Sequence, residues 1–97
     1  MPITIIATIK VKEGKMEEAK AVLKEVVPKI KESEPGCLEY IPLTVKGRKE
    51  KSTIIIYEKY QDDAALKTHM ANLGKNMAPL QPLLEPGMDL KTCFEIL

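Results

Sequence analysis

Hydrophobic and polar positions alternate from Ile3 to Val11. Ile3, Ile5, Ala7, Ile9 and Val11 point one way, and Thr4, Ile6, Thr8 and Lys10 the other. A period of two with many β-branched residues predicts a strand, which Glu13-Gly14 ends. From Lys15 the period turns helical. Met16, Ala19, Leu23, Val26, Val27 and Ile30 form one stripe, with Lys20, Lys24 and Lys31 on the opposite face. This predicts a helix to about Ser33, kinked at Pro28, where a backbone donor is missing. Glu34-Pro35-Gly36 is a stop signal.

A second strand is predicted over Cys37 to Val45 and a third over Ser52 to Lys59, joined as a hairpin through the polar turn Lys46 to Lys51. Pro42 cannot donate to a ladder, so the second strand belongs at a sheet edge or carries a bulge. Asp62-Asp63 supplies a cap and an acidic first turn for a second helix, with Leu66, Met70 and Leu73 inside. From Gly74 to Gly87 the chain is apolar but broken by Pro79, Pro82 and Pro86, which reads as a short irregular helical cover. The last segment alternates again, with Met88, Leu90, Phe94 and Ile96 against Asp89, Lys91, Cys93 and Glu95. The expected fold is therefore α+β, a ferredoxin-like βαββαβ domain. Its four-stranded antiparallel sheet would carry both helices on one face.

The uncovered face of such a sheet should be polar. Ile54, Ile55, Ile56 and Tyr57 instead place apolar groups on both faces, and Ile6 lies opposite Ile5 and Ile9. At ~25 cal/mol per Å2, leaving several of these wet forfeits an energy comparable with a small domain's whole stability. A second copy of the chain is the simplest cover, since two-fold pairing is the commonest assembly. The expectation is a homodimer through the sheet face.

Composition narrows the function classes. Ninety-seven residues make one domain, spanning 1–97. A net charge of +1 gives no field for nucleic acid or an anionic membrane. No apolar run approaches the ~18 residues of a membrane span. No basic n-region precedes the first apolar residues, so no signal peptide is expected. Cys37 and Cys93 lack CxxC spacing, which argues against a zinc or thioredoxin-like centre. A reducing, cytoplasmic setting with no metal is the default. RNA-recognition domains share the element order, but Lys51 to Tyr57 lacks their stacking aromatics.

Two segments suggest a family. Glu34-Pro35-Gly36-Cys37-Leu38-Glu39-Tyr40 combines a Pro-Gly-Cys turn with the start of a strand. Ile56-Tyr57-Glu58-Lys59-Tyr60 leads through Asp62 and Asp63 to Ala65-Leu66-Lys67-Thr68-His69. In order and spacing they resemble the antibiotic biosynthesis monooxygenase family. The resemblance implies a dimeric α+β barrel with a pocket between sheet and helices in each subunit. Its members include cofactor-independent oxygenases of quinols and polyketide phenols, haem-degrading enzymes and a quorum-signal isomerase. Haem degradation is disfavoured here, because the chain has no Trp and its first strand reads Ile5-Ile6-Ala7-Thr8, without the Asn that haem degraders place there.

Cofactor-free oxygenation needs a base near neutrality and an apolar cavity that excludes water. His69 is the only histidine and the only side chain whose ordinary pKa suits a base. It is expected at the border of the second helix's inner face. Tyr40, Tyr57 and Tyr60 are candidates for holding a phenolic ligand, with Met70, Leu73 and Met77 lining the cavity and Glu58 orienting the site. Plain packing roles are open to all of these. The expected activity is monooxygenation of a small aromatic quinol or phenol without a cofactor. A non-catalytic dimeric carrier or stress protein, and an isomerase of a small oxygenated metabolite, are the alternatives.

Overall fold

The computed structural model describes residues 2–96. Strand β1 (Ile3–Val11) leads to helix α1 (Met16–Ser33), strand β2 (Cys37–Thr44), strand β3 (Thr53–Tyr60), helix α2 (Asp63–Asn76) and strand β4 (Leu84–Cys93). Two single-turn 3-10 helices, Arg48–Glu50 and Gln81–Leu83, sit in the connections. The sheet order is β2-β3-β1-β4, with every neighbouring pair antiparallel. This is the ferredoxin-like βαββαβ arrangement. Among the described residues, no helix is long and apolar enough to cross a membrane.

The alternation in β1 sorts its side chains as the sequence predicts. Ile3, Ile5, Ala7, Ile9 and Val11 are buried against the helices, because successive side chains on a strand leave opposite faces. Their β3 partners on that face are Tyr60, Glu58, Ile56 and Ile54, in register with Ile3, Ile5, Ala7 and Ile9. Helix α1 buries Ala19, Leu23, Val26 and Ile30, spaced four, three and four residues apart, against this layer. Pro28 lies within α1 and cannot donate to the carbonyl four residues back. The helix nevertheless runs on to Ser33, with Ile30 held in the core beyond the proline.

Pro42 lies on the edge strand β2, and the register slips between Cys37 and Glu39. The edge position lets the missing Pro42 donor face away from β3, whereas the slip falls elsewhere on the strand and leaves Pro42 in register with Ile56. The expected helical cover over Gly74 to Gly87 is corrected. Helix α2 continues to Asn76, only Gln81–Leu83 is a 3-10 turn, and β4 begins at Leu84. Pro82 occupies the first turn of that short helix, where no backbone donor is needed. The strand takes up Pro86 and Gly87 because it is an edge strand whose register with β1 shifts between Ile9 and Val11. Gly87 has φ 92°, which a side chain would strain. Phe94 and Ile96 fall beyond the strand and are exposed.

The turn between α1 and β2 meets the start of α2 at close range. A Cβ on Gly36 would come within 2.5 Å of Ala65 Cβ, and Gln61 N–H donates to the Gly36 carbonyl at 2.9 Å. Asp62 caps α2 by accepting from Ala65 N–H at 2.9 Å. Gly36→Ala is expected to lower the unfolding free energy by about 1–3 kcal/mol through overpacking. Urea unfolding should show a lower midpoint with an unchanged slope. A wild-type midpoint would mean that the turn and helix can separate freely.

Candidate active site

One turn beyond Ala65, α2 presents His69 to the same loop. His69 is the only residue of α2 that is fully buried, at 2 % exposure. It therefore stands at the centre of the inner face and not at its border. Leu66 and Leu73 are half-buried and Met70 is 47 % exposed. The reason is a gap: α2 stands away from β4, and a cavity of about 740 Å3 opens between them. Its walls are mainly apolar, with Ile5, Ala7 and Ile9 from β1, Met88 and Leu90 from β4, and Leu66, Met70, Leu73 and Met77 from the helix side. Tyr40, Glu58 and His69 form its polar end.

His69 Nδ1 lies 2.9 Å from Glu34 Oε1, and Glu34 Oε2 accepts from Asn76 Nδ2 at 3.1 Å. Glu34 is itself 3 % exposed. Its position follows from the helix stop, since it is the C-cap of α1 and its N–H donates to the Ile30 carbonyl. A carboxylate here accepts only, so the hydrogen-bond network assigns a proton to Nδ1. That leaves Nε2 as the basic nitrogen, 3.6 Å from Glu58 Oε1. Glu58 Oε1 accepts from Tyr60 Oη at 2.6 Å. The rings of Tyr40 and Tyr60 flank the imidazole, with centroids 5.6 Å and 5.1 Å away.

Among the described residues, no buried side-chain nitrogen or oxygen lacks a partner. His69 and Glu58 both line the cavity, and His69 Nε2 lies beyond hydrogen-bond distance of its nearest carboxylate oxygen, Glu58 Oε1. Burial pushes the Glu58 carboxyl above the ordinary carboxylate range, opposed by the Tyr60 hydrogen bond and by His69, and reinforced by Glu34. Burial also raises Tyr40 and Tyr60, in both cases helped by Glu58. Both phenols therefore stay protonated and act as donors. Cys37, behind Tyr60, is pushed up to about 11 by burial, with Glu34 and Glu58 adding to it. Such a thiol is no nucleophile at neutral pH.

Six of the residues expected from sequence thus share one cavity: His69, Tyr40, Glu58, Met70, Leu73 and Met77. Tyr60 stands behind them, fully buried, and touches the site only through Glu58 and His69. Tyr57 lies on the opposite face of the sheet, paired with Ile6 and Ile41, and is not part of the cavity. Glu34 and Asn76 were not singled out by sequence. Their signals were modest: Asn76 falls seven residues after His69, two turns along one helical face, and Glu34 precedes the Pro-Gly stop.

Fold and site together define a class: a small βαββαβ domain with a buried acid–base array at one end of an apolar cavity. The sequence profile of the antibiotic biosynthesis monooxygenase family matches residues 2–73, and the chain belongs to that family. A solved protein from Caulobacter crescentus, provisionally assigned as an antibiotic biosynthesis monooxygenase, is 26 % identical with a TM-score of 0.83, over 99 % of this chain and 91 % of that one. A protein from Shewanella oneidensis is 27 % identical with a TM-score of 0.75, over 95 % and 88 %. One from Bacteroides thetaiotaomicron with the same provisional assignment as the first shares the fold at 23 % identity and TM-score 0.78, over 99 % and 90 %. No protein of curated function matches the chain.

The raised Glu58 pKa has a stability consequence. Its folded state disfavours the ionised carboxylate. The Glu58 contribution is therefore complete below the ordinary carboxylate pKa and is lost as pH rises through the raised value. The melting temperature of Glu58→Gln minus that of wild type should become more positive between about pH 5 and about pH 8. Differential scanning calorimetry at both pH values checks this. A difference that does not change with pH would mean that Glu58 ionises as readily in the folded chain as in the unfolded one.

Proposed function

We propose that the chain is a cofactor-independent monooxygenase of a small aromatic quinol or phenol, working as a homodimer. The observation that carries the reading is the Glu34–His69 pair, buried and aimed at an apolar cavity. Glu34 holds the Nδ1 proton, so Nε2 faces the ligand as the base. Removal of a phenolic proton leaves an electron-rich anion that itself reduces dioxygen. The apolar walls keep water from quenching the carbanion character of that anion. Family membership supports an oxygenase, and a cavity of this size suits one or two fused aromatic rings.

Purified protein mixed with a panel of hydroquinones and naphthols should consume oxygen. His69→Ala is expected to reduce the turnover by roughly 100-fold or more. Unchanged turnover in that variant would remove His69 from the mechanism. Saturable binding without oxygen uptake would identify a carrier, and product without oxygen uptake an isomerase.

The second copy proposed here covers the outer sheet face. Ile6, Ile55 and Tyr57 sit there half-buried, and Ile41 and Leu43 are 41 % and 47 % exposed. An apolar face of this kind on a four-stranded sheet favours a partner over water. Light scattering after size exclusion should give twice the chain mass for wild type and a shift toward the single chain for Ile55→Lys. A monodisperse single chain for wild type at micromolar concentration would overturn the dimer.

A further inference from the structure

Two proton-exchanging side chains, His69 and Glu58, line the cavity, and the reaction just proposed uses only one. His69 Nε2 and Glu58 Oε1 are 3.6 Å apart, too far for a hydrogen bond between them. They are close enough to act together on adjacent atoms of one ligand. Glu58 Oε1 accepts from the Tyr60 hydroxyl, which fixes the carboxyl on the lining of the cavity.

Resting on the oxygenase reading, we propose that Glu58 is the proton donor that breaks the oxygen–oxygen bond. Addition of dioxygen to a ring carbon of the phenolate, with uptake of one proton, gives a carbon-bound hydroperoxide. To finish, that carbon must lose its hydrogen as a proton, and the C–H electron pair becomes the second bond of the new carbonyl. The O–O bond breaks, and its electron pair leaves with the outer oxygen as hydroxide. Hydroxide is a poor leaving group unless protonated as it departs. A base and an acid are therefore needed at the same moment, about two bonds apart. His69 Nε2 takes the carbon's proton, and Glu58 Oε2–H supplies the proton that completes water. The sum is a phenol with a ring C–H plus dioxygen giving a quinone plus water. One oxygen atom ends in the carbonyl and the other in the water.

The surroundings of Glu58 move its carboxyl above the ordinary range. Tyr60 on its own strand donates to it, Tyr40 on β2 and His69 on α2 face it, and Glu34 and Cys37 lie behind. Burial and the Glu34 charge favour the acid form, against the Tyr60 hydrogen bond and His69.

The test uses full-length protein and 1-naphthol as the probe, with two readouts. The first is steady-state oxygen uptake across pH. Glu58→Gln should lower kcat at least about tenfold with KM within about twofold, and should erase the alkaline limb of the profile. The second is deuterium exchange into the ring carbon opposite the hydroxyl, followed by NMR in oxygen-free D2O. Such exchange moves a proton on and off the ring carbon, the half of the step given to His69, so His69→Ala should slow it and Glu58→Gln should leave it within about twofold of wild type. Tyr60→Phe keeps the carboxyl and the ring volume but removes one stabiliser of the anion, so the alkaline limb should move to higher pH. It serves where Glu58→Gln fails to fold. Wild-type kcat and an intact alkaline limb in Glu58→Gln, or an unmoved limb in Tyr60→Phe, would overturn the assignment while leaving the oxygenase reading standing. Exchange that depends on His69 in a protein that takes up no oxygen would sink the oxygenase reading and the role of Glu58 with it.

Discussion

The contact between Glu34 and His69 constrains the rest of the molecule. A carboxyl and an imidazole removed from water lose more solvation than their attraction returns unless their remaining valences are satisfied. Here they are. Asn76 takes the second oxygen of Glu34, and the rings of Tyr40 and Tyr60 enclose the imidazole. The pair requires a helix end, a turn and a second helix to arrive at one point. Gly36 permits this, because α2 comes down on the turn at Ala65, one helical turn before His69.

The inner face of β3 sets up the polarity of the cavity. Ile54 and Ile56 continue the apolar layer beneath α1, and Glu58 and Tyr60 then make the same face polar beneath α2. Opposite them β1 stays apolar with Ile9, Ala7 and Ile5. The cavity is therefore mainly apolar, with Tyr40, Glu58 and His69 on its lining, and Lys12, Gln81, Glu85 and Thr92 adding further polar groups.

Much of the fold was legible because period alone reports it. The bounds of β1 agree with the alternation of Ile3 to Val11, and the stripe from Ala19 to Ile30 is the buried face of α1. The edge position of β2 followed from Pro42, which cannot serve two neighbours. The stretch from Gly74 to Gly87 was harder. Its leucines suit a helix, yet Leu84 pairs with Val11 in the sheet. Non-local pairing overrode a local rhythm there. The site was half legible: Tyr-Glu before the helix and a single histidine pointed to Glu58 and His69, whereas Glu34 looked like part of a helix stop.

What the sequence determined by itself was the βαββαβ order, the buried faces of β1 and α1, and the one residue whose ordinary pKa suits a base near neutral pH. These depend on local period and intrinsic pKa, which neighbours in the chain suffice to define. Only the tertiary structure decided that His69 is central and not marginal. It also brought Glu34 across 35 residues of chain to hold the Nδ1 proton, and it put Tyr57 behind the sheet while Tyr60 supports Glu58. Tautomer, burial and the pairing of charges are set by distances through space, and those exist only once α1, α2 and the sheet have packed together.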